Sequence, residues 1–529
     1  MAAATTTDAH DPRMQRHPPA IWFFFWGEFA ERASYYGSRA ILPLYLTSVL
    51  AFSDKDGASI YYWYKMAAYF LPLLGGIVAD RWLGRYWTIV GFSIPFVIGQ
   101  FVLSIESQFW CLIALFLLLA PGTGVIKPNI SALLGETYDQ QRPGQNTLRI
   151  TAFQYFYFAI NVGALISMLL MPFLRDKYGY ATAFQLPAWL MAAALLIFAL
   201  GKPFYAKEFV GGNTKTPEER REQSATLGLF WVIVLAFTAW FAFDFRASVL
   251  NLLADRTGIA LPMSAYLSGL AVFAAAVVAL AVRVYGMFSP AMRSTLSRLF
   301  GIFGLIVLWW VAYEHNDSIW VYFARDYMSH AEMAFTLPDW LPLGGGIRYE
   351  PKADAYQFIN SLFVLIFIPL FAVFFRSTDP QMKVFTPVRR VLIGFFVTAL
   401  SSGVMMFAAY RTQGGAVQVS AWWMVIAYIV LTAGEVLLYG TMLDLSYAAA
   451  PKSMKGFITA CFLLTNTMGN FINSYLTRLY GGSLKDPVDE RGPLGTVQFF
   501  GMSMAIVVMA GIAFYFVGKR FEQGQASGA

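Results

Sequence analysis

Residues 20–50 read AIWFFFWGEFAERASYYGSRAILPLYLTSVL. The run reads as a candidate membrane span, since crossing a bilayer takes roughly 20 mostly apolar residues of helix. It nevertheless carries Glu28, Glu31, Arg32 and Arg39. Glu28, Glu31 and Arg32 stand at i, i+3 and i+4, so a helix places them on one face. Tyr35, Tyr36 and Arg39 carry that face two turns further. Such a stripe cannot face hydrocarbon; it must line an aqueous cavity or a helix interface. Ion pairs that only lock helices together are the weaker reading, because locking rarely needs so many ionisable groups.

The rest of the chain repeats the apolar part of this pattern. Of 529 residues, 58% are hydrophobic and 13% charged, against about 25% charged in a soluble domain. That balance excludes a large soluble enzyme, a disordered scaffold, a disulfide-rich secreted protein and a collagen-like fibre. The net charge of +7 includes no dense basic run, so it does not point to nucleic acid. Cytoplasmic loops of a membrane protein are expected to be basic. Cys111 and Cys461 lie in apolar stretches and read as buried thiols.

Candidate spans fall at about 20–52, 58–80, 86–105, 108–134, 147–173 and 182–204, then 225–250 and 263–286. Six more fall at about 291–323, 354–375, 388–410, 419–449, 453–480 and 496–518. The expectation is an all-α polytopic membrane protein of fourteen transmembrane helices, arranged 6 + 2 + 6. The domains are then a tail at 1–19, a six-helix bundle at 20–205, a linker with two extra helices at 206–290, a second bundle at 291–520 and a tail at 521–529. Lys and Arg favour one set of alternate loops by more than two to one, which places both termini in the cytoplasm. Two bundles of six suggest a secondary transporter. The outer segment 324–353, with Pro338, Pro342 and Gly344 to Gly346, reads as a long connection, an ordered lid being the alternative.

Other polar groups interrupt the spans. Lys127 sits in GTGVIKPN (122–129), where Gly and Pro are expected to loosen the helix. Glu314 follows Trp309, Trp310 and Tyr313, and Glu435 follows Gly434. Asn161 and Asn360 are uncharged hydrogen-bonding groups in the spans at 147–173 and 354–375. Ionisable groups at mid-membrane cost about 2.5–3.5 kcal/mol each, so they persist when paired, wetted or functional. Arg32, Arg39 and Lys127 lie in the first half of the chain, Glu314 and Glu435 in the second. Opposite poles across a cavity suit a zwitterion. A carboxylate buried beside cations is also suited to gain and lose a proton in a cycle.

These residues resemble the proton-coupled oligopeptide transporter (POT/PTR) family of the major facilitator superfamily, in its bacterial form. GEFAERASYYG (27–37) resembles the family's E-x-x-E-R-F-x-Y-Y-G motif, and GIVADRWLGR (76–85) the superfamily's loop between spans two and three. FYFAINVGAL (156–165) resembles the fifth-span signature, and Gly434-Glu435 with YAAAPKSMKG (447–456) the family's tenth-to-eleventh junction, in a span count that leaves out the two linker helices. The matches keep their order over nearly the whole chain. They imply a major facilitator fold and a symporter importing di- and tripeptides, with protons as coupling ion and no cofactor or metal. They also imply the cell (inner) membrane and function as a monomer, with lipid but no nucleic acid as partner. The resemblance assigns proton coupling to Glu28, Glu31 and Arg32, with Lys127 tuning Glu31. Arg39 and Glu314 become a gate ion pair. Lys127 and Glu435 become opposite poles of the peptide site, and Asn161 and Asn360 groups that hold peptide. Tyr35, Tyr36, Tyr69, Tyr157 and Trp310 become pocket walls, and Asp80 with Arg81 controls conformation.

Three positions depart from the pattern. Ala33 stands for the motif's Phe, and Phe462 for a Trp in the eleventh span, which implies a larger and less polar pocket there. Tyr62 stands where mammalian members have a histidine, so any proton coupling must rely on carboxylates. His315 beside Glu314 is either a modulator or a bystander. A same-fold transporter of nitrate or another small anion is the alternative. A membrane-embedded enzyme is a remote one, since no metal cluster, nucleophile elbow or phosphate loop is visible.

Overall fold

The computed structural model describes residues 16–79, 83–207, 228, 231–232, 235–236, 262–288, 290–336, 338–339, 346–379, 383–449 and 455–526. The first half comprises α1 (Ala20–Leu44), α2 (Asp54–Phe70), α3 (Pro72–Val78), α4 (Arg85–Leu103), α5 (Gln108–Ile113), α6 (Ala120–Gln141), α7 (Asn146–Tyr178) and α8 (Tyr180–Leu200). Then follow α9 (Met263–Met287), α10 (Pro290–Glu314), α11 (Ile319–Tyr327), α12 (Phe358–Thr378), α13 (Pro387–Arg411), α14 (Trp422–Ala449), α15 (Lys455–Leu476) and α16 (Thr496–Ala526). Every expected span corresponds to helix except the seventh, 225–250, which lies outside the described residues apart from 228, 231–232 and 235–236.

The chain divides into two compact units. One draws on residues up to 211, 302–443 and 462 onward, so both expected bundles contribute to it; the other draws on 212–301 and 444–461 and contains α9. Among the described residues, ten helical stretches are long and apolar enough to cross a membrane. The helices that fall short are α1, α2 with α3, and α15. Their polar residues explain this: α1 holds two acids and two bases, α2 holds Lys65, and α15 holds Asn466, Asn470 and Asn473. All of these except Arg39 are buried, so the helices least fit for lipid turn those groups inward. By contrast, few residues in the most apolar stretch of the span over α12 are buried, as expected of a helix with a lipid-facing side.

Helix α1 packs against α7 and α8, and α4 against α6 and α8. Despite Gly124 and Pro128, α6 is one continuous helix. The glycines serve close packing instead: a Cβ added at Gly124 would come 2.8 Å from Leu71 Cβ, and one at Gly75 would come 2.7 Å from Val125 Cα. In the second half, α13 and α14 approach through a glycine pair. A Cβ at Gly434 would lie 2.9 Å from the Thr398 backbone nitrogen, and one at Gly394 would lie 2.7 Å from Leu438 Cβ. Gly434 immediately precedes Glu435, so this contact fixes where that carboxylate emerges. Gly434→Val should therefore lower stability by about 1–3 kcal/mol through overpacking, read as a lower melting temperature in detergent.

The segment after α11 is ordered where described. Met328–Ser329 pairs in parallel with Val419–Ser420, and Phe335–Thr336 pairs antiparallel with Arg348–Tyr349. His330 Nδ1 lies 3.0 Å from Tyr356 Oη and Nε2 3.2 Å from the Ala324 carbonyl. Burial holds that imidazole below its ordinary pKa. The Tyr349 ring packs edge-on against Phe173 of α7, centroids 5.4 Å apart. This stretch therefore bridges the two halves of the first unit rather than trailing as a bare connection. Between α12 and α13, Asp379 accepts hydrogen bonds from the backbone N–H groups of Lys383, Val384 and Phe385 at 2.7–2.9 Å. Those donors, Phe385 first, hold its carboxyl below the usual range.

Candidate substrate site and gate

On α1 the expected face is present. Arg32 Nε lies 3.1 Å from Glu28 Oε1 and also pairs with Glu31. All three side chains are almost wholly buried. The Arg32 guanidinium lies 5.6 Å from the Tyr35 ring centroid, and that of Arg39 5.2 Å from Tyr36. One guanidinium thus neutralises two carboxylates, which leaves the cluster with an excess acid that a proton can balance. Lys127, on α6, is close enough to interact electrostatically with Glu28 and Glu31. Its Nζ stands 5.3 Å from the Tyr69 ring centroid. Among the described residues it forms no ion pair, so no direct Lys127–Glu435 bridge exists in this state.

In the other half, Glu435 Oε2 accepts from Asn360 Nδ2 at 2.8 Å, and Asn360 also donates to Thr432 Oγ1 at 3.1 Å. This joins α12 to α14 around a half-buried carboxylate. Trp310 Nε1 donates to Thr465 Oγ1 at 3.0 Å, and its ring meets Tyr313 and Tyr439 with centroids 5.2 and 5.6 Å away. Phe462 is buried between Phe303 and Tyr439, at 5.9 and 5.6 Å, and completes that wall. Tyr157 of α7 is exposed, and it and Tyr439 interact electrostatically with both Tyr36 and Glu435. These phenols thus span the gap between the halves. Asn161 Nδ2 donates to its own helix, at the Tyr157 carbonyl 2.9 Å away. Asp80 and Arg81 lie outside the described residues.

The gate differs from expectation. Arg39 Nη2 pairs with Asp317 Oδ1 at 2.9 Å, not with Glu314. Glu314 is instead met by Lys65 of α2, which also reaches Asp317. The reason is local: after Glu314 the chain enters the tight turn His315–Asp317, which carries Asp317 toward α1 and leaves Glu314 toward α2. Tyr62, at the histidine position, donates to the Glu314 carbonyl at 2.9 Å and accepts from Ser318 Oγ at 2.8 Å. Lys65 and Asp317 both lie inside expected spans, and their charge at membrane depth is the sequence signal that marks them. His315 turns away to Ser503 Oγ, 2.9 Å from its Nδ1.

Further contacts close the same end, where α1 and α7 terminate and α2 begins. Arg325 grips Asp54 through two bonds of 3.1 and 2.7 Å. Arg175 pairs with Asp354. Ser59 Oγ donates to the Ser474 carbonyl at 2.8 Å, and Gln357 Nε2 to the Ala40 carbonyl at 2.9 Å. All join the first half of the chain to the second. A separate cavity of about 760 Å³ near Tyr327, Arg411 and Arg491 contains none of the site residues.

The arrangement matches known proteins. The sequence profile described as PTR2: POT family matches residues 86–486. The chain is 30% identical to Peptide transporter family 1 of Caenorhabditis elegans over 414 residues, 74% of this chain but only 45% of that protein. It therefore spans less than half the length of that relative. It is 26% identical to the uncharacterized transporter YclF of Bacillus subtilis, over 94% of this chain and 93% of the other. Its structure resembles the crystal structure of the POT family transporter PepTSo with a TM-score of 0.73 and 27% identity, covering 96% of this chain and 99% of that one. With all-α architecture, intramembrane charge on both halves and a family match over most of its length, this chain is a multi-pass membrane protein that belongs to the POT family of transporters.

Proposed function

We propose that this protein is a secondary transporter, not an enzyme, and that it imports di- and tripeptides with protons by alternating access. The observation that carries the reading is the separation of charge within one unit. Glu28, Glu31 and Arg32 form a buried cluster in the first half, while Glu435 with Asn360 presents an acid in the second. A peptide's carboxylate is drawn to Arg32, Arg39 and Lys127, and its ammonium to Glu435. The phenols of Tyr35, Tyr36, Tyr69 and Tyr157, the Trp310 ring and Phe462 give walls that tolerate many side chains. Asn161 supplies an amide for the peptide backbone once its helix partner releases it.

With both termini in the cytoplasm of the inner membrane, the closed end faces outward. The Glu31–Arg32 pair then belongs to the stage after proton release. Protonating Glu31 from outside discharges that pair and frees Arg32 for the substrate. Loss of the proton inside restores the pair and resets the cycle. Asp80 and Arg81 are assigned to steadying one of the two conformations. Protons are the only coupling partner the reading requires, a monomer suffices, and no cofactor or metal is involved.

The test is competition for labelled dialanine uptake into liposomes containing the purified protein. Other dipeptides should compete, and free alanine and nitrate should not. Competition by nitrate in place of dipeptides would move the ligand to the small-anion class.

A further inference from the structure

Lys65 is 1% exposed in the middle of α2 and belongs to no motif. It reaches across to two carboxylates of the other half, Glu314 and Asp317. Arg39 makes its ion pair with Asp317 alone. Among the described residues, Lys65 is therefore the only basic side chain in ion-pair contact with Glu314. The other Glu314 oxygen accepts from Asn466 at 2.6 Å and from Asn470 at 3.4 Å. These amides sit one turn apart on α15. Glu314 is thus anchored by amides within its own half while its charge is met from the opposite half.

Among the described residues no further ion pair forms around these groups, but Glu314 and Asp317 lie within hydrogen-bonding reach of each other, and the phenols of Tyr69 on α2 and Tyr313 on α10 face Glu314. Tyr61 of α2 lies with its ring centroid 5.6 Å from Lys65 Nζ, Tyr62 binds the Glu314 backbone, and Tyr35 of α1 lies near Arg39. Tyr428 of α14 donates to the Asn316 carbonyl at 2.8 Å. Glu435 of α14 acts on the cluster only at longer range, and His315 faces Ser503. The closed gate therefore holds two cations and two carboxylates and is neutral. Without Lys65 it would bury two carboxylates against one cation. An unpaired buried charge is strongly destabilising, and two carboxylates sharing one cation relieve it by sharing a proton.

We propose that Lys65 is a positioning residue that allows the gate to close without a bound proton, so that the proton of the cycle stays with the Glu28–Glu31–Arg32 cluster. The proposal rests on reading the chain as an alternating-access transporter, but its test needs no peptide. Ser59 is buried at the closed end against the Ser474 carbonyl. A Ser59→Cys protein in liposomes would be labelled with a membrane-impermeant maleimide at pH 6 and pH 8. Each rate is divided by that of the unfolded chain at the same pH, which removes the thiol's own titration.

Ser59→Cys alone should label slowly at both pH values. Adding Lys65→Met should give slow labelling at pH 6 and at least about tenfold faster labelling at pH 8, as a one-proton requirement dictates. Adding Lys65→Arg, or Lys65→Met together with Glu314→Gln, should keep labelling slow at both, because each restores neutrality. A normalised rate for the Lys65→Met protein that is the same at pH 6 and pH 8 would overturn the proposal. So would a double variant that opens at pH 8 as Lys65→Met does. Sharp monodisperse elution of each variant separates these outcomes from misfolding. Failure of peptide competition in liposomes would bear on the substrate and leave this result intact.

Discussion

Glu31→Gln in liposomes should show no accumulation of dialanine under an inward proton gradient while still exchanging internal for external peptide. Each pH unit is worth about 1.4 kcal/mol per proton, or tenfold accumulation. At one proton per peptide and a gradient of one unit, the accumulation ratio should fall from about ten to about one. The physical cause is that Glu31 and Glu28 share the single guanidinium of Arg32. A glutamine at 31 resembles the protonated acid in shape and charge, so the substrate can bind but no proton can be released. Accumulation persisting at the wild-type level would place proton coupling elsewhere.

Glu435→Ala should weaken dialanine by about 2–5 kcal/mol, the usual cost of truncating one partner of a buried charged pair. That carboxylate accepts from Asn360 at 2.8 Å, which fixes its position on α14. An analogue without the amino group should lose much less. Measured as inhibition constants in the same liposomes, equal losses for the two ligands would contradict the ammonium assignment.

The architecture was legible because apolar runs of membrane length are a strong signal, and because the buried stripe on α1 follows helical spacing. Most expected boundaries fall within a few residues of the observed helices, as with Arg85–Leu103 and Tyr180–Leu200. Pairing across the two halves was not legible. Which acid meets Arg39 depends on a three-residue turn after Glu314, and no residue pattern announces that Asp317 swings toward α1 while Glu314 faces Lys65. Lys65 itself is hidden by neighbours: Tyr61, Tyr62, Trp63 and Tyr64 make the segment read as an apolar wall. The amides of Asn466 and Asn470 read individually as ordinary polar residues, and only their one-turn spacing beside Glu314 gives them a role. Gly124 and Pro128 misled in the opposite sense, because composition suggested a loosened helix where packing against α3 keeps α6 continuous.

The most direct test of the whole account is uptake of labelled dialanine into sealed liposomes at equal external concentration, with and without an inward proton gradient. Accumulation above the external level only when the gradient is present, and its collapse when a protonophore is added, is the predicted result. Equal uptake with and without the gradient, in protein shown to be folded and inserted, would contradict proton-coupled peptide transport.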